Sequence, residues 1–375
     1  MSKDLEGVTL LDFGGVGPVA RGVRVLSDLG VRWIQVVAPA SAARHEPPWH
    51  SYGALRGAEQ VELDLKQPAG RDAALRIASR VDIVMESFRP GVAKRLGIDY
   101  GAIKAKNPRV IYCALTGYGQ IGPYAGWAGH DLNYQAVAGS LTAQGRDKDG
   151  IPALPALTLA DSAGGGWLAA IRILAALHLR AASGKGQFID ASAVEGVLHL
   201  NSMTIDEYLV TGKEERTGGG MVNGGFAGYA VYKCADGKFI TCGAIEPKFF
   251  KTLVEALGLP ALAARQLDPA AQDDHRKQMA AAFAKKTRDE WMKTFAKLDA
   301  CVAPVLSPAE IVKDAHWVAN QAVVEYQHPT QGPQKQVKPF GPPGTQRGAP
   351  PGKGQGRAVL KEFGFSEAEI AALKV

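Results

Sequence analysis

The sequence predicts an α/β fold in which a large domain with a doubly wound parallel sheet is followed by a smaller α+β domain. Three observations lead to this prediction. Apolar strand-like segments alternate with amphipathic helical segments in the first half of the chain, which favours a parallel sheet covered by helices. Near residue 212 the alternation gives way to glycine-rich chain. The length of 375 residues, with 46% apolar types, is sufficient for two domains with their own cores.

Short apolar runs bounded by turn residues indicate the strands of the large domain. These strands are predicted at Val8–Phe13, Val31–Val37, Gln60–Leu65, Val81–Glu86, Val110–Leu115 and Gln187–Asp190. Proline at the first helical position and glycine after the last turn are typical helix boundaries. Helices are predicted at Pro18–Leu29, Pro68–Ser79 and Ala163–Ala182.

The second half of the chain begins with a predicted β-hairpin. Its strands are Tyr229–Cys234 and Lys238–Cys242, joined by an Asp-Gly turn. Helices are then predicted at Pro247–Leu257, Gln272–Lys285 and Thr287–Leu298. Residues 327–357 are rich in Pro, Gly and Gln, which predicts an extended tail with little core of its own. Ser366 opens a short final helix with capping chemistry.

Composition and terminal motifs indicate the cellular compartment. No run of about 18 apolar residues is present, so no membrane span is expected. The segment Met1–Gly7 lacks the basic-then-apolar form of a signal peptide. The four cysteines are scattered without a C-x-x-C motif, and we expect buried neutral thiols rather than zinc ligands or disulfides. These features favour the cytoplasm.

The excess of basic over acidic residues does not predict a nucleic-acid partner. The net charge is +6, but Lys and Arg are spread among acidic residues and form no stripe. A small polyanionic ligand explains a mild positive excess, and so does an ordinary solvated surface.

A glycine motif follows the first predicted strand. Gly15-Val16-Gly17-Pro18-Val19-Ala20 fits G-x-G-x-x-A, which occurs in dinucleotide sites. Such sites also need a carboxylate near the end of the second strand to hold the ribose. The chain has Val36-Val37-Ala38-Pro39 there. We therefore predict a tight turn with close helix–sheet packing instead of an NAD site.

Several short segments form a set that is more specific than any one of them. They are Leu26–Gly30, Glu86–Val92, Asn107–Tyr112, Thr116–Gly119, Gly129–Tyr134, Ala160–Gly165, Gly184–Asp190, Tyr232–Gly237 and Gly243–Phe249. In this order they resemble the family III CoA-transferase (CaiB/BaiF) superfamily, in its racemase-like branch. The resemblance covers nearly the whole chain.

The resemblance implies an interlocked homodimer, each subunit having a Rossmann-like large domain built from both chain ends and a small domain. The corresponding predicted boundaries are 1–212 for the large CoA-binding domain, 213–228 for a glycine-rich linker, 229–320 for the small domain and 321–375 for a return segment that completes the large domain. The implied partners are an acyl-CoA substrate and a second copy of the chain. No metal is expected, because the sequence shows no ligand cluster with metal spacing. No tightly bound cofactor is expected either, because CoA is part of the substrate.

The implied chemistry is proton exchange at the carbon beside a thioester. Racemisation there uses two bases on opposite faces, each titrating within reach of neutral pH. His130 and Asp161 are similar to the family's two bases, and Glu246 to a glutamate that pairs with the histidine. From the residues alone, His130 and Asp131 could simply cap a short helix, and Asp161 could be an ordinary N-cap.

The resemblance also implies contacts to CoA. The residues concerned are Arg56, Arg89, Arg95, Gly129 and Asp131. Arginine suits phosphate because its planar guanidinium binds two oxygens at once, although surface ion pairs explain each arginine nearly as well.

Two other functions remain open. In CoA transfer between carboxylic acids, Asp161 would be a nucleophile that forms an aspartyl thioester, and His130 would be dispensable. In a non-enzymatic relative, CoA contacts would be weakened. Gln35-Val36-Val37-Ala38-Pro39 departs from the family's V-K-x-E-x-P run, and Thr158 is the nearest polar residue to the place where the racemases have an asparagine.

Overall fold

The computed structural model describes residues 4–15, 17–39, 55–214, 217–328, 332–340 and 355–373. The chain forms two compact units. The larger unit comprises Met1–Ser140, Pro155–Ser202 and Ala315–Val375, and the smaller unit comprises Leu141–Leu154 and Met203–Asp314.

These limits differ from the predicted domain boundaries. The segment Leu141–Leu154 belongs to the smaller unit, not to the large domain. The reason is a local contact: the Thr217 hydroxyl donates to the Thr142 carbonyl at 2.9 Å. The smaller unit also begins at Met203 rather than after residue 212, and the chain returns to the larger unit at Ala315 rather than at 321.

The larger unit is built on the predicted parallel sheet. Its strands are β1 (Thr9–Asp12), β2 (Arg32–Val37), β3 (Ala58–Glu62), β4 (Ile83–Glu86), β5 (Ile111–Thr116) and β6 (Phe188–Ser192). They are ordered β3-β2-β1-β4-β5-β6 and all pair in parallel. All residues of β4 and β5 are buried, as expected for strands covered on both faces. The α/β prediction is confirmed.

Helices of the larger unit cover both faces of this sheet. They are α1 (Pro18–Asp28), α2 (Pro68–Ala78), α3 (Val92–Leu96), α4 (Tyr100–Lys104), α5 (Asp131–Val137), α6 (Leu168–Ser183) and α7 (Ala193–Leu200). The next helix, α8 (Ser202–Thr211), lies almost entirely in the smaller unit, which begins at Met203. Short 3-10 turns lie at Ser140–Ala143, Pro260–Arg265 and Pro269–Ala271. Both α1 and α2 begin at a proline, as predicted, because a first-turn residue needs no backbone donor.

The smaller unit contains the predicted hairpin and helices. Its strands β7 (Tyr229–Lys233), β8 (Phe239–Gly243) and β9 (Val302–Pro304) form one antiparallel sheet. Its helices are α9 (Pro247–Ala256), α10 (Gln272–Phe283), α11 (Arg288–Phe295) and α12 (Pro308–Ile311). Phe283 lies at the centre of an aromatic cluster with Tyr232, Trp291 and Phe295. This unit therefore has a core of its own.

The C-terminal segment is more structured than predicted. It contains α13 (Ala315–Ala319), the antiparallel pair β10 (Val323–His328) and β11 (Gly332–Val337), α14 (Gln355–Glu362) and α15 (Glu367–Ala372). Val359 and Leu360 of α14 are buried in the core beneath α2. The predicted extended tail, residues 327–357, agrees with β11, none of whose residues is buried. Helix α14, whose buried side chains Val359 and Leu360 lie beyond this range, was not predicted, because a few apolar residues suffice for a helix that another element covers. Residues 341–354 of the predicted tail lie outside the described residues.

The long helix of the larger unit begins earlier than predicted. A π-helical segment, Ala160–Trp167, runs directly into α6, so the helix spans Ala160–Ser183. By length and composition this helix could cross a membrane, with a mean hydropathy of 1.3. No membrane span was expected from the sequence, because charged residues interrupt the apolar run of this helix. Core helices of soluble proteins meet the same criterion, and Ala169, Ala170 and Ile173 lie in the core.

The cysteines are only partly as predicted. All four are free thiols, and burial raises the pKa of each, which keeps them neutral. Cys113, Cys234 and Cys242 are buried, but Cys301 is exposed. Cys301 has a φ of 50°, in the left-handed region, and directly precedes β9.

Candidate active site

Asp161 lies inside the π-helical segment and not before a helix. The segment starts at Ala160, with Leu159 as its N-cap, so the alternative that Asp161 is an ordinary N-cap is wrong. Single turns of π-helix occur mainly where a functional side chain must be displaced from regular α-helical positions. The Asp161 side chain is half-buried in this segment.

Close helix packing holds the π-helical segment in place. A Cβ at Gly166 would lie 2.7 Å from the Gly22 nitrogen of α1, and one at Gly165 would lie 2.8 Å from Pro18 Cβ. On the other side, a Cβ at Gly196 of α7 would lie 1.7 Å from the Gly164 carbonyl oxygen. These glycines are buried, and they allow three helix backbones to meet.

The Asp161 carboxylate lies at the start of α1. A Cβ on Gly17, the N-cap of α1, would lie 3.0 Å from Asp161 Oδ2. Burial, and to a smaller extent the nearby Asp131 carboxylate, raise the pKa of Asp161 to about 6, while Arg21 and His130 act in the opposite direction. His130 is therefore near enough to Asp161 to interact with it electrostatically.

His130 is the N-cap of α5, and its side chain is exposed. Its backbone N–H donates to Asn133 Oδ1 at 3.0 Å, and its carbonyl accepts from the Asn133 N–H at 2.8 Å. The capping position predicted from the residues is thus present. It is compatible with a chemical role, because the His130 side chain is exposed.

Asp131 links the two candidate bases. Its Oδ1 accepts the Asp161 backbone N–H at 2.9 Å, and its Oδ2 accepts from the Gln135 side chain. The family resemblance implies a CoA contact for Asp131. In the structure both of its carboxylate oxygens accept from protein donors, and the residue attaches the start of α5 to the segment that carries Asp161.

We expect Asp131→Asn to lower the pKa of the Asp161 carboxyl below its value of about 6. The substitution removes the adjacent negative charge, while the asparagine oxygen can still accept the Asp161 N–H. A carbon-13 NMR titration of the aspartate carboxyl groups would measure the change, with Asp161→Asn to assign the resonance. Asp149→Asn, which removes an exposed aspartate of the smaller unit, is the matched control. An unchanged or higher midpoint in Asp131→Asn would contradict the electrostatic argument.

The three arginines have different environments. Arg56 is 1% exposed, and its guanidinium bonds Asp28 at 3.1 Å, Gln336 at 3.0 Å and the Val337 carbonyl at 3.1 Å. This buried ion pair leaves Arg56 without an exposed donor for phosphate, contrary to prediction. Arg89 and Arg95 are exposed, and both remain predicted phosphate contacts.

Gly129 makes room for aromatic rings. A Cβ there would lie 2.7 Å from both the Tyr118 hydroxyl oxygen and Tyr134 Cε1. The Tyr118 and Tyr134 rings meet edge to face at 5.1 Å. The structure therefore gives Gly129 a packing role, and its predicted CoA contact stays a prediction.

Glu246 belongs to the smaller unit. It is the exposed N-cap of α9, and its carbonyl accepts the Phe249 and Phe250 N–H groups at 3.0 Å. Burial raises the pKa of the Cys301 thiol, and Glu246 contributes to the shift. The pairing of Glu246 with His130 stays a prediction. In the described part of the chain, no group of three or more His, Cys, Asp or Glu side chains is arranged to hold a metal ion.

Sequence reasoning missed three neighbours of Asp161. They are Gly17, Arg21 and Tyr134. The proximity of Tyr134 follows from its pKa, which the Asp161 carboxylate raises. Gly17 had a signal in the glycine motif before α1, which was read as a turn. Arg21 and Tyr134 had no local signal, because their proximity to Asp161 arises from packing between distant segments.

Comparison with known proteins agrees with the resemblance. The model of the family described as CoA-transferase family III matches residues 5–356. The chain is 35% identical over 373 residues to human α-methylacyl-CoA racemase, covering 98% of this chain and 96% of that one. It is 28% identical over 386 residues to acetyl-CoA:oxalate CoA-transferase of Acetobacter aceti, covering 97% of each.

Solved structures have the same fold. A CAIB/BAIF family protein from Brucella suis superposes with a TM-score of 0.80 at 25% identity, covering 97% of this chain and all of that one. The similar proteins include both racemases and CoA-transferases. On the family match and the similarity to the human racemase, this chain is an enzyme that belongs to CoA-transferase family III.

Proposed function

We propose that this enzyme racemises the α-carbon of a 2-methylacyl-CoA by two-base proton transfer through an enolate. His130 exchanges a proton with one face of the α-carbon, and Asp161 exchanges a proton with the other. The observation that carries the proposal is the hydrogen bond between Asp131, the residue after His130, and the Asp161 N–H at 2.9 Å. This bond supports the proposal, because it joins the residue after one candidate base to the backbone of the other.

The electrostatics of Asp161 support an acid–base role. With a pKa of about 6, this carboxyl is a stronger base than an ordinary aspartate and takes up a proton near neutral pH. Racemisation needs both properties, because each group must accept and return a proton. The N-terminus of α1, which opens at Gly17 beside the carboxylate, provides backbone N–H donors suited to the negative charge of an enolate.

CoA transfer is the second candidate, favoured by the similarity to an oxalate CoA-transferase. In that reaction the Asp161 carboxylate attacks the acyl-CoA carbonyl and expels CoA thiolate, leaving an aspartyl acyl anhydride. The thiolate then attacks the aspartyl carbonyl and releases the first carboxylate. The resulting aspartyl thioester passes CoA to the second acid.

Deuterium uptake distinguishes the two reactions. We expect purified protein to exchange the α-hydrogen of a 2-methylacyl-CoA in D₂O, and His130→Ala to slow this exchange about a hundredfold or more. Mass spectrometry of the thioester measures the uptake. His178→Ala, at an exposed histidine of α6, is the matched control and should retain the wild-type rate.

A trapping experiment completes the comparison. Hydroxylamine added during turnover with an acyl-CoA donor and a carboxylic acid acceptor should modify Asp161 only if an aspartyl anhydride or thioester forms. An Asp161 adduct together with normal turnover by His130→Ala would establish transfer and refute racemisation. Absence of α-deuterium uptake with every branched acyl-CoA tested would also refute racemisation.

We further propose that the enzyme works as a homodimer in the cytoplasm. Helix α8 supports a self-association surface, because none of its residues is buried within one chain. Met203, Leu209 and Val210 of α8 are 66%, 72% and 87% exposed. Neighbouring apolar side chains with this exposure are typical of an interface with a partner chain.

A further inference from the structure

We propose that Tyr134 is a positioning residue for His130, holding both peptide groups that flank the histidine. This inference rests on the proposed role of His130 as a base and adds a residue that the reaction requires without itself exchanging protons.

Tyr134 makes two hydrogen bonds around His130. Its phenolic O–H donates to the Gly129 carbonyl, and its backbone N–H donates to the His130 carbonyl at 3.2 Å. The first bond fixes the peptide before His130 Cα, and the second fixes the peptide after it. Because two peptide planes determine φ and ψ, these bonds determine the direction of the His130 Cα–Cβ bond.

The ring of Tyr134 is held independently of its hydroxyl. A Cβ on Gly117 would lie 2.3 Å from Tyr134 Cε1, and one on Gly129 would lie 2.7 Å from the same atom. The ring is thus enclosed by two backbone segments, and Tyr118 packs edge to face on it at 5.1 Å. Replacing Tyr134 by phenylalanine therefore removes the hydroxyl while the ring stays in place.

The hydroxyl is a permanent donor and not a proton-exchanging group. Burial raises the pKa of Tyr134 to about 12, and the Asp161 carboxylate adds to this shift. The O–H therefore keeps its proton throughout the range in which histidine titrates. His130 needs such support because its side chain is exposed, and proton transfer depends on sub-ångström placement of the base.

We expect Tyr134→Phe to lower kcat for α-hydrogen exchange about tenfold or more, with KM changed less than about twofold. Tyr118→Phe is the matched control, because it removes a neighbouring hydroxyl and leaves the ring contact. It should keep kcat within about twofold of wild type. Equal falls in kcat for both variants, or a change in KM alone, would overturn the proposal.

Two further measurements keep the proposal testable. Asn133→Ala removes the other side-chain contact to the His130 peptide, and it should also lower kcat selectively. The His130 Cε1–H signal, followed by NMR, reports positioning without any substrate. We expect one signal in wild type and Tyr118→Phe, and broadened or multiple signals in Tyr134→Phe. A single unchanged signal would refute the proposal, whereas a split signal in an enzyme without α-exchange would refute only the proposed racemisation.

Discussion

Asp161→Asn should lower the rate of α-hydrogen exchange about a hundredfold to ten-thousandfold, because an amide cannot take up the proton that the carboxylate removes. Asparagine has nearly the same shape, and its backbone N–H still donates to Asp131. Deuterium uptake into a 2-methylacyl-CoA, followed by mass spectrometry, measures the loss.

The control for this experiment lies in the same π-helical segment. Ser162→Ala removes the adjacent polar side chain, whose hydroxyl lies 3.5 Å from that of Thr158, and it should leave the exchange rate close to wild type. Thermal unfolding of both variants shows whether the segment stays folded. A folded Asp161→Asn enzyme that keeps more than a tenth of the wild-type rate would remove Asp161 from the chemistry. Both a racemase and a transferase should lose activity in Asp161→Asn. The His130→Ala and trapping experiments are therefore needed to distinguish the two reactions.

Gly196→Ala should destabilise the larger unit by about 3 kcal/mol or more. A methyl group there would lie 1.7 Å from the Gly164 carbonyl oxygen and 2.4 Å from the Gly164 carbonyl carbon. Both atoms are backbone, so no side-chain rotation relieves the clash, and α7 must separate from the π-helical segment. The separation would expose Val197, which is fully buried. The melting temperature should fall by about 6 °C or more.

Helix propensity alone predicts a change in stability of the opposite sign. Replacing glycine by alanine inside a helix normally stabilises it by about 1 kcal/mol. Gly126→Ala is the matched control, since no atom lies within 4 Å of a Cβ at that position of the larger unit. If Gly196→Ala melted at or above the wild-type temperature in differential scanning calorimetry, the close packing of α7 on the π-helical segment would be wrong. A substantial fall should also reduce exchange activity, because this packing holds Asp161.

Much of the fold could be predicted from local pattern. The six parallel strands coincide with predicted apolar runs to within a few residues, and α1, α2 and α9 begin at the expected prolines. The final helix α15 begins after Ser366, as predicted. Helix α14 and the β10–β11 pair were harder to predict, because their apolar residues are few and depend on partners elsewhere. The π-helical start of the long helix had no local signal, since its register is determined by contacts of Gly164–Gly166 with α1 and α7.

The sequence by itself determined the alternation of strands and helices and identified His130 and Asp161 as candidate bases. Tertiary structure alone decided which groups surround them. Arg56 is buried against Asp28 instead of being available to phosphate, and Asp131 accepts an N–H from a residue thirty positions away. The physical reason is that periodicity and capping depend on neighbours along the chain, whereas burial, pKa and hydrogen-bond partners depend on which distant segments pack together.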